Sequence, residues 1–400
     1  ETEKPECSEL RQCGSSKDGR KVKYKIVKQT ETAERMRKME KYQFGYGCMR
    51  LPVTNADDPA SFDYPLIEKL FDTYMDQGFT YFDAAYTYHG YHCEESVKKA
   101  LVERHPRDSF ELATKLPLRD FKDAEDMERI FNEQLEHCGV DYFDYYLLHN
   151  MGTNVYDKCQ KYDAFGFAAK KKVEGKIKYL GMSFHDMPEL LDEILGKYGD
   201  EFDFIQLQIN YVDWEQPNVQ SRRCLEVANK YKKPVFVMEP CKGGTLVNLP
   251  DEALKLMKEY DPDASAASWA FRFAASQEGV VRVLSGMNSM EQVMDNTATF
   301  KDFKPITKEE LAIIVQVRKI IEKNTPIPCT ACSYCTHGCP KQIAIPQYFA
   351  LYNSISRTTG SFSSQAVYYN NISLKHGKAS DCIGCGQCEK ACPQHLPITD

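Results

Sequence analysis

The sequence lacks any long run of apolar residues. Its longest apolar stretches, such as 311–317, are far shorter than the roughly 20 residues that a helix needs to span a bilayer, so no membrane span is expected. It also lacks a clustered stripe of Lys and Arg, and its net charge is −7, which together argue against a nucleic-acid partner. Its basic stretch at 17–38 is expected to be a solvated and mobile N-terminal arm.

The chain also lacks an initiator methionine, since its first residue is Glu1. A segment upstream is therefore expected to have been removed, and a cleaved export signal is one explanation. A cytoplasmic location is expected, with a periplasmic location after removal of such a signal as the alternative. With 400 residues, 42% of them hydrophobic, the chain can bury one large core and still accommodate a second domain.

Cysteine, by contrast, is abundant: there are sixteen, and eight of them form two clusters in the sequence. Each cluster follows the pattern C-x2-C-x2-C-x3-C, with proline directly after the fourth cysteine. Zinc sites normally show paired C-x2-C motifs, and disulfides would rarely repeat one four-cysteine spacing twice. Iron–sulfur clusters are therefore favoured over both alternatives.

This spacing resembles that of bacterial two-cluster ferredoxins. The resemblance implies two [4Fe–4S] clusters, each held by three cysteines of one motif and the fourth cysteine of the other. The fourth cysteine is expected to start a helix that points away from its own motif. Between the motifs, a helix is expected at 346–353 and a Ser/Thr/Gly-rich loop at 357–364. The implied ligand sets are Cys329, Cys332, Cys335 and Cys392 for one cluster, and Cys382, Cys385, Cys388 and Cys339 for the other.

The part of the chain before residue 325 alternates short apolar runs with amphipathic segments. Eight strand–helix units at fairly even spacing predict an α/β fold, a (β/α)8 TIM barrel, followed by a small α+β ferredoxin-like two-cluster domain. A doubly wound sheet is the alternative, but no G-x-G-x-x-G motif follows an early strand. The strands are expected at 44–49, 79–83, 110–115, 142–149, 176–183, 202–208, 234–239 and 280–286, and helices at 66–78, 94–105, 124–139, 188–199 and 219–233.

Five consecutive predicted strands end in a polar residue, although each run is otherwise mainly apolar or aromatic. In a barrel the carboxyl ends of the strands converge on one face, where barrel enzymes carry their chemistry. A single polar strand end would be unremarkable, but five in succession favour a mouth lined with reactive groups. These residues are Asp83, Lys115, His149, Ser183 and Gln208.

Three segments resemble the aldo-keto reductase family: FDAAYTYHGYHCEESVKKAL (82–101), ATKLP (113–117) and LLHN (147–150). The resemblance extends in order over 44–300. Together with the two-cluster segment and the opening GCMRLP at 47–52, it points to the iron–sulfur branch of that family. The domains expected on this basis are an N-terminal arm (1–42), the barrel (43–305), a linker helix (306–326) and the two-cluster domain (327–400).

The resemblance implies that Asp83, Tyr88, Lys115 and His149 are catalytic. The chemistry is reasonable, because a carbonyl that is reduced needs a proton at its oxygen and a tyrosine hydroxyl can supply it. Free tyrosine has a pKa of about 10, so it needs help to act near neutrality. The Lys115 ammonium would stabilise the phenolate, Asp83 would orient that ammonium, and His149 would hydrogen-bond the carbonyl oxygen. Tyr86, by comparison, is expected to contribute packing.

The family further implies an NAD(P)H cofactor, although the match is weaker there. Ser183 and Gln208 correspond to positions that hold the nicotinamide carboxamide, and Tyr211 lies near the same strand end. The Asn that usually follows the Ser is replaced by Phe184. The aromatic residue that usually stacks on the nicotinamide is replaced by Met238.

The phosphate and adenosine end departs further from the family. The Lys and Arg that usually bind a 2′-phosphate correspond to Gly286 and Gln292, so the sequence does not favour NADPH over NADH. Arg50 in the first loop is a candidate for binding a phosphate or a substrate carboxylate, with a surface salt bridge as the alternative. The other candidate cofactor-binding residues are Gly47, Cys48, Gly243, Asn288, Ser289 and Asn296.

Three functions remain open at this point. The first is an oxidoreductase that interconverts a small carbonyl and an alcohol, with the clusters passing electrons to or from a redox protein partner. The second is a reductase in which the clusters feed the substrate directly, without nicotinamide. The third is a non-catalytic electron-transfer or docking subunit. A hydride carrier moves two electrons and a [4Fe–4S] cluster moves one, and no obvious flavin motif is present to couple them.

Overall fold

The computed structural model describes residues 43–323, 326–329, 331–356 and 365–400. Eight parallel strands form a closed barrel, in which each strand pairs with the next and the eighth pairs with the first. Closure leaves no unpaired sheet edge in the barrel. The strands are β1 (Gln43–Gly47), β2 (Tyr81–Asp83), β3 (Glu111–Pro117), β4 (Phe143–Met151), β5 (Ile177–Phe184), β6 (Phe204–Gln208), β7 (Val235–Met238) and β8 (Val280–Gly286).

Helices follow the strands and bury their apolar faces against the barrel. Their ends follow local chemistry: the Asp123 carboxylate caps one helix by accepting from the Asp126 amide at 2.8 Å, and Gly139 ends it with φ 67°. In the part of the chain that is described, no helix is both long and apolar enough to cross a membrane. The helices are α1 (Tyr64–Asp76), α2 (Cys93–Val97), α3 (Ala124–Cys138), α4 (Thr153–Lys161), α5 (Ala164–Val173), α6 (Pro188–Tyr198), α7 (Ser221–Lys230), α8 (Asp251–Tyr260), α9 (Ala266–Ala275), α10 (Met290–Lys301) and α11 (Lys308–Lys323).

The predicted fold class is confirmed, and the differences concern the ends of elements. The last strand has the predicted bounds, whereas β2 begins two residues later than expected, at Tyr81. The helix predicted at 94–105 is divided, because α2 continues as a π turn over Lys98–Val102. The predicted arm at 1–42 and the predicted loop at 357–364 lie outside the described residues.

Large rings enclose a buried cation inside the barrel. The Arg282 guanidinium lies 3.9 Å from the ring centroid of Tyr81, 5.0 Å from that of Tyr145 and 4.8 Å from that of Phe236. Its Nη2 also forms an ion pair with Glu111 at 2.9 Å. Aromatic faces attract a cation, so these rings fill the barrel interior and also stabilise the buried guanidinium, whose charge the Glu111 carboxylate compensates.

The described part of the two-cluster domain consists of short helices and one parallel bridge between Ile343 and Gly377. The prediction that each fourth cysteine starts a helix is wrong. Cys339 and Cys392 instead follow the short helices that contain the third cysteines, because Gly338 and Cys392 already leave the helical course. The helices are α12 (Tyr334–His337), α13 (Ile345–Ile355), α14 (Gln365–Lys375) and α15 (Gln387–Ala391).

Helix α14 of the two-cluster domain packs on the carboxyl ends of β5 and β6. The Asn371 amide donates to the His185 carbonyl at 2.7 Å, and the buried Tyr368 hydroxyl lies 3.5 Å from the Gln208 side-chain oxygen. On the other side, α11 is held to the barrel by a bidentate ion pair between Arg272 and Glu310, at 2.7 Å for each contact. The two-cluster domain therefore forms part of the wall of the barrel mouth.

The packing inside the barrel predicts different effects for two glycine substitutions. A Cβ added at Gly181 in β5 would lie 2.5 Å from the Phe204 ring, whereas one added at Gly199 would have no neighbour closer than 3.9 Å. We expect Gly181→Ala to destabilise the protein by about 1–3 kcal/mol through overpacking. Gly199→Ala should stay within about 0.5 kcal/mol of the wild type. Thermal melting of both variants checks this, and equal melting temperatures would contradict the packing argument.

Candidate active site and cluster sites

A buried ammonium organises the side chains at the ends of β2 and β3. The Lys115 Nζ atom donates to Asp83 Oδ1 at 2.5 Å, to the Ala84 carbonyl at 2.6 Å and to the Tyr88 hydroxyl oxygen at 3.2 Å. An ammonium has three protons, and these three acceptors use all of them. Since Tyr88 accepts through its oxygen, its own O–H proton is left to point elsewhere.

Asp83 is fixed by further contacts inside the barrel. Its Oδ2 atom accepts from the Tyr81 hydroxyl and from the Gln206 amide, each at 3.2 Å. Burial lowers the pKa of Lys115, but the Asp83 carboxylate and Tyr88 outweigh burial, and the net effect raises the pKa of Lys115 above its usual value. The lysine is therefore charged at neutral pH, and its partner carboxylate compensates that charge.

Tyr88 lies at the mouth, in the 3-10 turn Tyr88–Tyr91 that follows β2. Burial raises the pKa of Tyr88 to about 12, although the neighbouring Lys115 ammonium acts in the opposite direction. The tyrosine therefore carries its proton at neutral pH. Lys115 would favour the phenolate that forms if the proton leaves, because the ammonium is already hydrogen-bonded to the phenolic oxygen.

His149 in β4 lies beside Tyr88, with ring centroids 5.7 Å apart in an edge-to-face arrangement. Burial holds the pKa of His149 well below its usual value, and the nearby charges of Lys115 and Arg119 lower it further. The imidazole is therefore neutral. Its Nδ1 atom is buried and has no hydrogen-bond partner among the described residues.

A cavity of about 760 Å³ opens above these groups. It is large enough for a small substrate together with part of a cofactor. Lys115 lies behind Tyr88 and does not line it. The predicted site residues that do line the cavity are Gly47, Asp83, Tyr88, His149, Ser183, Met238 and Gly286.

Gln208 and Tyr211, predicted to be near the nicotinamide, do not line this cavity. The Gln208 amide donates to Asp213 Oδ2 at 2.7 Å, and Asp213 in turn pairs with the Lys242 ammonium. The other end of the Gln208 side chain faces Tyr368 of α14. Tyr211 is fully buried in the core. Gln208 is thus occupied at both ends by groups of the protein itself.

Apart from Gly286, which lines the cavity, the residues predicted for the adenosine end do not line it. Ser289 caps α10 by accepting from the Gln292 amide at 3.3 Å, and the Gln292 side chain accepts from the Asn288 amide at 2.8 Å. Asn296 donates to Ser285 at 3.2 Å. Two further candidates, Cys48 and Gly243, also do not line the cavity: Cys48 is fully buried, and Gly243 forms a turn with φ 63°.

Several residues that line the cavity were not predicted as site residues. Among them are His185 and Arg119, both on the same side as His149, and Val367 from α14. Burial lowers the pKa of His185 to about 3, and its Nδ1 atom has no partner among the described residues. A polar residue directly after the end of β5 was a usable signal for His185. Nothing in the sequence links Val367 to the barrel, because that contact depends on tertiary packing.

Arg50 also lines the cavity, on the side of β7 and β8. Its guanidinium lies 3.9 Å from the Glu239 carboxylate, at the edge of ion-pair distance. Burial raises the pKa of Glu239, while Arg50 and Lys242 oppose that rise. Both the binding role and the salt-bridge role predicted for Arg50 therefore remain compatible with its position.

The eight motif cysteines line two separate cavities, four to each. We name them the first cluster site (Cys329, Cys332, Cys335 and Cys392) and the second cluster site (Cys339, Cys382, Cys385 and Cys388). These are the sets that the ferredoxin-like spacing implies. Four thiols around one apolar cavity are a donor set suited to an iron–sulfur cluster. Among the described residues, no group of three or more potential ligands is placed to hold a single metal ion.

Comparison with known proteins agrees with this architecture. The model of the aldo/keto reductase family matches residues 43–319, and that of the 4Fe-4S dicluster domain matches residues 328–396. A curated relative, the uncharacterized oxidoreductase YqkF of Bacillus subtilis, is 22% identical over 299 residues, which cover 67% of this chain and 90% of the relative.

Solved structures share the barrel. The aldo-keto reductase AKR11C1 of Bacillus halodurans has a TM-score of 0.55 at 23% identity, covering 69% of this chain and 91% of its own. An aldo/keto reductase of Klebsiella pneumoniae, solved with NADP and acetate, has a TM-score of 0.55 at 21% identity, covering 69% and 90%. At this identity the likeness shows the fold. The family match over the barrel shows more: this chain belongs to the aldo/keto reductase family and is an oxidoreductase that also carries a 4Fe-4S dicluster domain.

Proposed function

We propose that the protein interconverts a small carbonyl compound and its alcohol, with Tyr88 as the general acid and base. The observation that carries this proposal is the set of three hydrogen bonds from Lys115, one of which ends on the Tyr88 oxygen. This arrangement directs the Tyr88 proton away from Lys115 and stabilises the phenolate once the proton has left. A substrate carbonyl in the cavity beside Tyr88 would receive that proton.

His149 would orient the substrate. A neutral imidazole donates one hydrogen bond, and a carbonyl oxygen placed between His149 and Tyr88 would accept from both. Negative charge that develops on this oxygen is then stabilised before and during proton transfer. In the reverse direction the Tyr88 phenolate takes the alcohol proton, with Lys115 favouring the phenolate.

We further propose that residues 327–400 bind two [4Fe–4S] clusters, one at each cluster site. Bound clusters supply or accept electrons one at a time. The remaining boundaries proposed are an arm at 1–42, the barrel at 43–305 and a linker helix at 306–326. The proposed cluster domain also contributes to the cavity of the barrel, because Val367 of α14 lines that cavity together with Tyr88.

The nicotinamide residues fit their expected role only in part. Ser183 lines the cavity, but Gln208 is already bonded to Asp213 and faces Tyr368. Phe184, which stands where the family usually has Asn, is buried and offers no amide. These contacts favour a second candidate, in which electrons reach the cavity from the two-cluster domain without a nicotinamide. In both candidates Tyr88 supplies the proton at the carbonyl oxygen. A nicotinamide would bring the hydrogen at carbon as hydride, whereas in the second candidate the carbon receives two electrons from the clusters and a second proton from solvent.

Substitution of Tyr88 tests the catalytic assignment. We expect Tyr88→Phe to lower kcat by about 10²–10⁴-fold, because it removes the proton donor and keeps the ring. Tyr86→Phe is the matched control, since the Tyr86 hydroxyl donates to Glu133 at 3.0 Å and does not line the cavity. The assay is benzaldehyde reduction, with reduced methyl viologen and NADPH compared as electron sources. Equal turnover by the two variants would reject the role of Tyr88.

A serine scan of the cysteines tests the crossed ligand sets. Cys392 lies in the second motif but lines the first cluster site with Cys332. We therefore expect Cys392→Ser and Cys332→Ser to impair the same cluster, leaving about four irons per chain rather than about eight. Iron analysis and EPR of the reduced protein make the comparison. Loss of the same cluster in Cys392→Ser and Cys385→Ser would show that each motif holds its own cluster.

Titration with NADH and NADPH separates the two electron sources. If the Gln208 amide remains bonded to Asp213, the protein should show no binding in the micromolar range, in contrast to typical cofactor sites. Calorimetry of the cluster-loaded protein measures this directly. Micromolar binding that weakens in Gln208→Ala would contradict the second candidate and support a nicotinamide-linked reaction.

A further inference from the structure

Two histidines lie at the ends of neighbouring strands at the mouth of the barrel. His149 belongs to β4, and His185 directly follows β5, where its amide donates to the Met151 carbonyl at 2.9 Å. Both rings line the cavity, and burial keeps both imidazoles neutral. The proposed reaction of Tyr88 uses His149 alone and gives no role to His185.

Each ring presents the same edge to the cavity. The Nδ1 atom of each histidine is buried without a hydrogen-bond partner among the described residues, whereas Nε2 is equally unpartnered there but not buried. A proton on Nδ1 would be a buried donor without an acceptor, which is costly, so the neutral ring carries its proton on Nε2. His149 and His185 therefore offer two neighbouring N–H donors to a bound molecule.

Helix α14 of the two-cluster domain holds His185 in place. Asn371 donates to the His185 carbonyl at 2.7 Å, and the Tyr368 ring lies roughly edge-on to the imidazole, with centroids 6.1 Å apart. The next residue, Asp186, is no partner for the imidazole, because its two carboxylate oxygens accept from backbone amides at 2.7 and 2.8 Å. His185 is thus a fixed neutral donor and not half of a His–Asp pair.

A guanidinium lies on the same side of the cavity. Arg119 follows β3, lines the cavity and forms no ion pair with the residues that the structure describes. Its positive charge lowers the pKa of both His149 and His185, which places it within electrostatic reach of both rings. The other charge that acts on both rings is that of Lys115, which is also positive.

The carboxylates that line the cavity have other partners. Asp83 forms an ion pair with the buried Lys115, and Glu239 lies 3.9 Å from Arg50 on the side of β7. The third, Asp120, accepts from the exposed Tyr91 hydroxyl at 3.4 Å. Next to the two histidines, the donors and the free guanidinium therefore favour a substrate group that is anionic and rich in acceptors.

We propose that the substrate is a 2-oxo acid, whose carboxylate is bound by His185 and Arg119. This inference rests on the proposed function and names its substrate class. The carbonyl oxygen lies between Tyr88 and His149, as proposed above, and the carboxylate is attached directly to the carbonyl carbon. Neighbouring strands lie about 4.8 Å apart, so donors at the ends of β4 and β5 suit acceptors on adjacent carbons.

The carboxylate itself is unchanged by the reaction. The ketone carbon gains the equivalent of two electrons and two protons, either as a hydride and one proton or as two electrons and two protons, and the product is the 2-hydroxy acid. A simple aldehyde would place an acceptor between Tyr88 and His149 but leave His185 and Arg119 without one. A 2-oxo acid uses all four groups.

Benzoylformate and its methyl ester test the carboxylate subsite, because both carry the same ketone and only the acid is charged. We expect kcat/KM of the wild type to be at least about tenfold higher for the acid. This preference should fall at least about tenfold in Arg119→Gln, which loses a charge-assisted hydrogen bond, and return in part in Arg119→Lys. His185→Phe, which keeps a ring but removes the donor, should also lower it. Arg129→Gln removes an exposed guanidinium on α3 and should keep the wild-type preference.

Calorimetry without an electron donor separates the subsite from the reaction, because binding needs no turnover. Benzoylformate should bind the cluster-loaded wild type at least about tenfold more tightly than the ester does, and Arg119→Gln should reduce this difference. Equal affinities for acid and ester in the wild type, or a preference that survives in both Arg119→Gln and His185→Phe, would overturn the proposal. Benzoylformate that binds as expected but is never reduced counts against the proposed function alone. Reduction of benzaldehyde without any preference for the acid counts against the subsite alone.

Discussion

The structure of the mouth depends on the burial of one charge, the Lys115 ammonium. A fully buried lysine is costly unless all of its protons are bonded. Here the three acceptors come from Asp83, from the backbone of Ala84 and from Tyr88, which the closed barrel brings together from two strands and one loop. The same requirement that makes the lysine tolerable fixes the orientation of the tyrosine. The stability of this site and the proposed reactivity of Tyr88 therefore depend on the same hydrogen bonds.

Much of the barrel and of this group could be predicted from the sequence. The alternation of apolar runs and amphipathic segments predicted eight strands, and polar residues such as Asp83, Lys115 and His149 marked their carboxyl ends. These signals are local, because each strand and its polar last residue can be recognised in a short stretch of sequence. A parallel barrel then places every strand end on one face, whatever the side chains are. The π turn at Lys98–Val102 could not be predicted in this way, since the helix periodicity continues through it.

The cofactor side was harder to predict, because it depends on contacts between distant segments. Gln208 occupies a family position, yet its neighbours Asp213 and Tyr368 determine what it can bind, and Tyr368 is 160 residues away in sequence. The cysteine spacing, by comparison, was informative in itself. Residues two or three positions apart must lie near each other, so Cys329, Cys332 and Cys335 are constrained by the chain alone.

The side chains around Tyr88 are not electron carriers, so the proposed reaction depends on a separate source of electrons. Asp83 and Lys115 compensate each other, and burial holds His149 and His185 in the neutral form. In the proposed reaction the barrel would supply a proton through Tyr88, but none of these groups can supply electrons. The dicluster domain contributes to the wall beside His185 through Tyr368, with ring centroids 6.1 Å apart. Because α14 of that domain lines the cavity through Val367, substrate binding and the proposed electron supply would be coupled by the packing of one helix.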